Sequence, residues 1–256
     1  MRIGRWIAVF AASAALFTGG LGAQAATLSW DLSTFTQGGT NAGNYGNSYS
    51  RSLGGVTLTV TAFATTGALG AFETANIANW GGGSGFGVRS RSPEGLGASS
   101  PNHAVDNNGP TEILLLAFSE SVALTGFTVG WFRDDADLSL LRWTNGGVPA
   151  IAGTIADLIG GPWDLASHHS GAPADIGKPT NVAAASRYWI VSAYNSGWGA
   201  SNANNFTPDT TADYFKFLQV TSETGRPPGE VPEPGSLALL ALGVAGLAMM
   251  RRRGRA

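Results

Sequence analysis

The stretch Val231–Ala256 sets the terms for the rest of the chain. It joins Val231-Pro232-Glu233-Pro234 to an apolar run, Leu237–Met250, and then to Arg251-Arg252-Arg253-Gly254-Arg255. Each proline fixes its own φ and pushes its predecessor out of the helical region, so the tetrapeptide is stiff and extended. The apolar run can be helical in lipid. Each arginine costs about 2.5–3.5 kcal/mol at the centre of a bilayer, so the basic cluster halts on the side from which it came. The run of 14 residues falls short of the roughly 20 that span a bilayer comfortably. That shortness suits a temporary stop better than a lasting anchor.

The other end is also written for a membrane. Arg2 and Arg5 precede the apolar stretch Trp6–Phe17, and Ala23-Gln24-Ala25 is a small-x-small cleavage site. Residues 1–25 therefore read as a secretory signal peptide, cut after Ala25, with Ala23 and Ala25 as the recognised small residues. Whatever folds between the two ends folds outside the cytoplasm. It does so with no cysteine, so neither a disulfide nor a thiolate metal site can staple it. About 200 residues are enough for one domain with a proper core.

The C-terminal residues also carry a family resemblance. Pro232-Glu233-Pro234, the apolar run and the cluster Arg251, Arg252, Arg253 together resemble the PEP-CTERM sorting segment of bacterial envelope proteins. The resemblance implies recognition by an exosortase, a membrane enzyme that acts near the Pro-Glu-Pro. It further implies an inner-membrane intermediate in a Gram-negative bacterium, then delivery to the cell surface or extracellular matrix. A central region resembles a group of exosortase-dependent surface proteins of unknown biochemical role. It runs through Ser100–Gly109, Glu112–Leu115, Gly130-Trp131 and Asp134–Leu141.

The expected layout is a signal peptide over 1–25, an ectodomain over 26–224, a Pro/Gly linker over 225–231 and the sorting segment over 232–256. Within that segment the transmembrane helix covers 235–250 and the basic tail 251–256. Only 12% of residues are charged and 37 are glycine, which suits an extracellular β-rich domain. Val56, Leu58 and Val60 alternate with Thr57, Thr59 and Thr61, predicting a strand with one buried and one wet face over Leu53–Phe63. Further strands are expected over Thr27–Leu32, Ala68–Trp80, Phe86–Arg89, Leu138–Thr144, Trp163–Ser170, Arg187–Tyr194 and Asp213–Thr221. Ser33–Arg51 reads as a loop. Thr111–Ser119 and Val122–Phe132 read as a hairpin turning at Glu120-Ser121. The first of these is apolar on both faces, so it belongs where both faces are covered. Ile151–Ile159 is the one short helix expected. The product is an all-β, antiparallel β-sandwich of jelly-roll type, with a signal helix before it and a transmembrane helix after it.

The chemistry that the sequence offers is sparse. Between Ala26 and Glu230 nine Lys and Arg stand against sixteen Asp and Glu, a net of −7, which argues against nucleic acid as a partner. Asp134, Asp135 and Asp137 lie in one turn and Asp106 in another beside Asn107 and Asn108. Such oxygen donors on loops suit Ca²⁺, although their spacing is not that of an EF-hand, and the same residues serve equally as turn formers. Calcium is the one cofactor these residues leave open. His168 and His169 are adjacent, so on a strand they point to opposite faces and cannot share an ion. Gly81–Gly85 lacks the residues of a phosphate loop, and no nucleophile elbow is present. Glu73, Glu94, Glu112 and Glu120 offer no marked pair for glycosidase chemistry. No enzyme activity is expected. Trp30, Trp80, Trp143, Trp163, Trp189 and Trp198 are candidate stacking faces for sugars. The expected role is structural display at the surface, with exopolysaccharide as a compatible partner. The alternative is a secreted carbohydrate- or calcium-binding module.

Overall fold

The computed structural model describes residues 26–38, 45–92, 95, 101, 103–171, 178–180, 182–199, 206 and 211–225. The signal segment with Ala23 and Ala25, the motif Pro232-Glu233-Pro234, the apolar run and Arg251–Arg253 lie outside them. Among the described residues no helix is long and apolar enough to cross a membrane.

Thirteen strands follow one another along the described chain. They are β1 (Ala26–Asp31), β2 (Thr36–Gln37), β3 (Ser48–Leu53), β4 (Val56–Thr65), β5 (Phe72–Asn79), β6 (Phe86–Arg89) and β7 (Val105–Asp106). Then come β8 (Glu112–Asp134), β9 (Leu138–Trp143), β10 (Trp163–His169), β11 (Lys178–Pro179), β12 (Ser186–Ala193) and β13 (Asp213–Thr224). The helix α1 is shorter than expected, Ile155–Ile159. Thr154 starts it with a reciprocal capping box: its hydroxyl accepts from the Asp157 N–H, and the Asp157 carboxylate accepts from the Thr154 N–H.

The fold is all-β, and every strand pairing is antiparallel. The strands do not divide into two separate sheets as a sandwich would. The pairings β8–β13, β13–β6, β6–β5, β5–β4 and β4–β8 form a circuit that returns to its start, giving a barrel-like closure. Strand β8 makes this possible. Its first half lies between β4 and β12, and its second half pairs with β13. The expected hairpin at Glu120-Ser121 is therefore replaced by one strand of 23 residues. Glu120 and Ser121 are polar, but no glycine or proline there forces a reversal, and the β-branched and apolar residues on both sides favour extended backbone.

The two-faced apolar pattern of β8 has a direct structural outcome. Leu114, Leu116 and Phe118 enter the main core with Trp30, Val60, Trp189, Phe215 and Phe217. Ile113 and Leu115 face the other way, into a second core with Leu141, Ile190, Trp163, Trp198 and Leu158 of α1. On β4, Val56, Leu58 and Val60 are buried, as their alternation predicts. The stretch Ser48–Leu53, expected within or beside a loop, is instead a strand paired to β4. Its sequence Ser-Tyr-Ser-Arg-Ser-Leu has little hydrophobic period of its own, so its state is set by the neighbour it pairs with.

Candidate functional site

The acidic connection Arg133–Asp137 links β8 to β9, and it ends beside the first residue of β13. Asp134 has a positive φ of 58°, a left-handed conformation that Asp tolerates better than most residues. It turns the chain so that its own carboxylate faces out beside Arg133, 3.3 Å away. The next acids turn inward. Ligand oxygens of Asp135, Asp137 and Asp213 lie within 4.8 Å of one another. Asp137 and Asp213 are buried, at 3% and 1% exposure.

Backbone and amide donors hold these carboxylates. Asp213 Oδ1 accepts from the Asp137 N–H at 2.7 Å, and Asp137 Oδ1 accepts from the Gly171 N–H at 2.6 Å. Asn107 works on both sides of Asp213: its Nδ2 donates to the carboxylate at 2.5 Å, and its Oδ1 accepts from the Asp213 N–H at 2.8 Å. The same Nδ2 donates to the Tyr194 carbonyl at 2.7 Å. The Asp106–Asn108 turn thus meets the acidic cluster through Asn107, not through Asp106. Asp106 is buried, and its Oδ1 accepts from the Asn108 N–H at 3.0 Å, an Asx turn.

Of the four aspartates predicted for calcium, the structure brings Asp135 and Asp137 together. Asp106 and Asp134 stand outside the triad, and Asp213 takes the third place. Asp213 is 76 residues from Asp137 in sequence; only strand pairing puts β13 beside the acidic connection. The one sequence signal for it was an isolated acid heading an aromatic strand. Burial is the largest influence on Asp213, pushing its carboxyl up to about 8, with the charges of Asp137 and Asp135 acting in the same direction. Hydrogen bonds from the Asp137 backbone and Asn107 oppose that rise. The donor set is all oxygen, which suits a hard cation such as Ca²⁺. A divalent ion would relieve the repulsion among three carboxylates.

The histidines belong to the packing. His168 Nδ1 lies 2.9 Å from Ser139 Oγ, and Nε2 lies 3.0 Å from the Gly199 carbonyl, which can only accept. That assigns the proton of the neutral ring to Nε2. His169 packs edge-on against Phe127. Of the candidate sugar-stacking tryptophans, Trp30, Trp163, Trp189 and Trp198 are fully buried in the two cores, whereas Trp80 is 41% exposed.

Comparison with known protein families bears on the C-terminal stretch. Residues 230–253 match the model of the PEP-CTERM protein-sorting motif. The chain carries a PEP-CTERM sorting motif. The motif marks an exported protein that is sorted by an exosortase, a membrane enzyme, and directed to the surface. No curated protein and no solved structure matches the chain.

Proposed function

We propose that this protein is a non-enzymatic surface component, carried out by an N-terminal signal peptide and held at the inner membrane by residues 235–250. An exosortase then acts near Pro232-Glu233-Pro234 and delivers the β domain to the cell surface or matrix of a Gram-negative bacterium. There the domain serves structurally, by display within an exopolysaccharide-rich layer. The match at residues 230–253 carries this reading. The Pro/Gly stretch before the motif adds a physical reason. An extended linker of about 3 Å per residue holds a folded domain clear of the membrane while the motif is read. Mass spectrometry of the mature protein from strains with and without the exosortase tests it. The expected result is a C-terminus near Pro232-Glu233-Pro234 only when the enzyme is present. The same intact C-terminus in both strains would overturn it.

A second reading, a calcium-binding module, is favoured by one observation: Asp135, Asp137 and Asp213 converge from two separate parts of the chain. Calorimetric titration with Ca²⁺ separates the two. A module would show saturable heat and a raised melting temperature; a display domain without the ion would show neither.

A further inference from the structure

A second cluster, remote in character from the acidic triad, surrounds Trp80, the one markedly exposed tryptophan among the described residues. Trp80 follows β5 and opens the Gly81–Gly85 turn into β6. Three basic groups contact its ring. The Lys216 ammonium lies 4.2 Å from the Trp80 ring centroid and 4.7 Å from that of Trp131. The Arg89 guanidinium lies 5.7 Å away. The His103 ring centroid lies at 4.2 Å. Lys216 is 6% exposed and His103 8%.

These groups lack the partners that buried cations usually have. Neither Lys216 nor Arg89 is paired with a carboxylate among the described residues. Arg89 Nε and His103 Nδ1 are buried with no hydrogen-bond partner. Burial lowers the Lys216 pKa. It also lowers that of His103, with the charges of Lys216 and Arg89 adding to the effect. A concentration of like charge on a domain that is otherwise acidic calls for an anion.

The fold builds this arrangement by close backbone approach. A Cβ on Gly130 of β8 would fall 2.5 Å from the Gly83 carbonyl oxygen, and one on Gly87 of β6 would fall 1.9 Å from that of His103. Glycine at both positions lets the Trp80 turn and the His103 segment settle over β8 and β13, where Lys216 stands opposite Trp131.

Beside Trp80 and Arg89 opens a cavity of about 300 Å³. Gln37, Asn47, Tyr49, Asn76 and Asn79 complete its polar lining, and among the described residues no acidic one lines it. Amides, a phenol, an indole face and a guanidinium are the groups that recognise a hydroxylated ring bearing a carboxylate. The indole covers the apolar C–H face of a pyranose, the amides meet its hydroxyls, and a guanidinium can take the carboxylate in two parallel hydrogen bonds.

We propose that the Trp80 cleft binds an anionic sugar of the uronate class, with Arg89 as the direct carboxylate partner. The Lys216 ammonium, 4.2 Å from the ring centroid, raises the positive potential around it. The proposal deepens the alternative of a carbohydrate-binding module by naming the sugar class and the site. Its failure would leave export and sorting untouched, since those rest on the N-terminal segment and on the motif at residues 230–253, not on the Trp80 cleft.

Tryptophan fluorescence of the full-length chain in detergent tests it, with three probes. Oligogalacturonate carries ring and charge, its methyl ester carries the ring alone, and inorganic phosphate carries charge alone. The expected result is saturable quenching by oligogalacturonate, with affinity for the ester at least about tenfold weaker and no competition by equimolar phosphate. A hydrogen-bonded charge pair corresponds to about tenfold or more in affinity. Arg89→Gln should lose that factor toward oligogalacturonate and leave the ester unchanged. Trp80→Ala should still unfold in one cooperative transition, while its binding to both sugars weakens. Absence of saturable quenching, equal affinity for acid and ester, competition by equimolar phosphate, or a folded Trp80→Ala variant with full affinity would each overturn the proposal.

Discussion

At the scale of single residues, the buried acids and the buried imidazole make opposite demands on pH and ions. Asp213, with its carboxyl raised to about 8, is largely protonated in the metal-free protein at neutral pH. Asp213→Asn should therefore leave metal-free melting within about 3 °C of the parent. In the parent, Ca²⁺ at a hundredfold above its Kd should stabilise by about 2.7 kcal/mol, or about 5–10 °C for a domain of this size. The variant should lose that shift, because one of three carboxylates is gone; differential scanning fluorimetry with and without Ca²⁺ reads both outcomes. For His168, burial outweighs the hydrogen bond to the Gly199 carbonyl and lowers the pKa. Below about 6.5 the unfolded chain then binds more protons than the folded one. The contribution of His168 is present in full above that pH and is lost as pH falls through the lowered folded value. The stability difference between the parent and His168→Gln in urea, taken at pH 7 and at pH 5, should show that loss, since the opposite contribution of Asp213 is common to both chains.

At the scale of elements, contacts rather than propensity decide where strands begin and end. Gly130 lies within the long strand β8, where a side chain would ordinarily be welcome, yet a Cβ there would meet backbone at 2.5 Å. Gly130→Ala should cost about 1–3 kcal/mol by overpacking, seen as a lower urea midpoint, and should shift the fluorescence of Trp80 and Trp131. Helix α1 is only five residues, too short to persist alone, and it rests on Ile155 and Leu158 in the second core. Thr154→Ala removes the capping hydroxyl and should cost about 0.5–2 kcal/mol, measured by the same denaturation. The alternation in Val56–Val60 was legible because one face is wet and the other buried. Ser48–Leu53 was not, because a polar strand is defined by its partner's hydrogen bonds. The continuity of β8 was hidden for a related reason: Glu120-Ser121 is polar at the point where the strand leaves one set of neighbours for another.

At the scale of the whole molecule, the tail carries the sorting motif and the described strands form the β domain. Glu233→Ala should leave the melting temperature of the domain unchanged while the protein keeps an unprocessed C-terminus, as read by mass spectrometry of the membrane fraction. The domain itself depends on pairings far apart in sequence. Trp30 on β1 donates its indole N–H to Ser222 on β13 at 2.9 Å, across 192 residues. A strand order that brings β13 against β1, β6, β7 and β8 joins both ends of the domain in one core.

The sequence by itself determined the destination and the class of fold. Proline stiffness, an apolar run and arginine charge are local properties that act wherever the chain goes, and a period of two along a strand is legible without knowing its neighbours. The tertiary structure decided the rest: the closure of the sheet through β8, the convergence of Asp213 with Asp135 and Asp137, and the gathering of Arg89, His103 and Lys216 around Trp80. Those groupings join residues from separate strands and turns, and a side chain's charge or hydrophobicity does not state which distant residue it will meet.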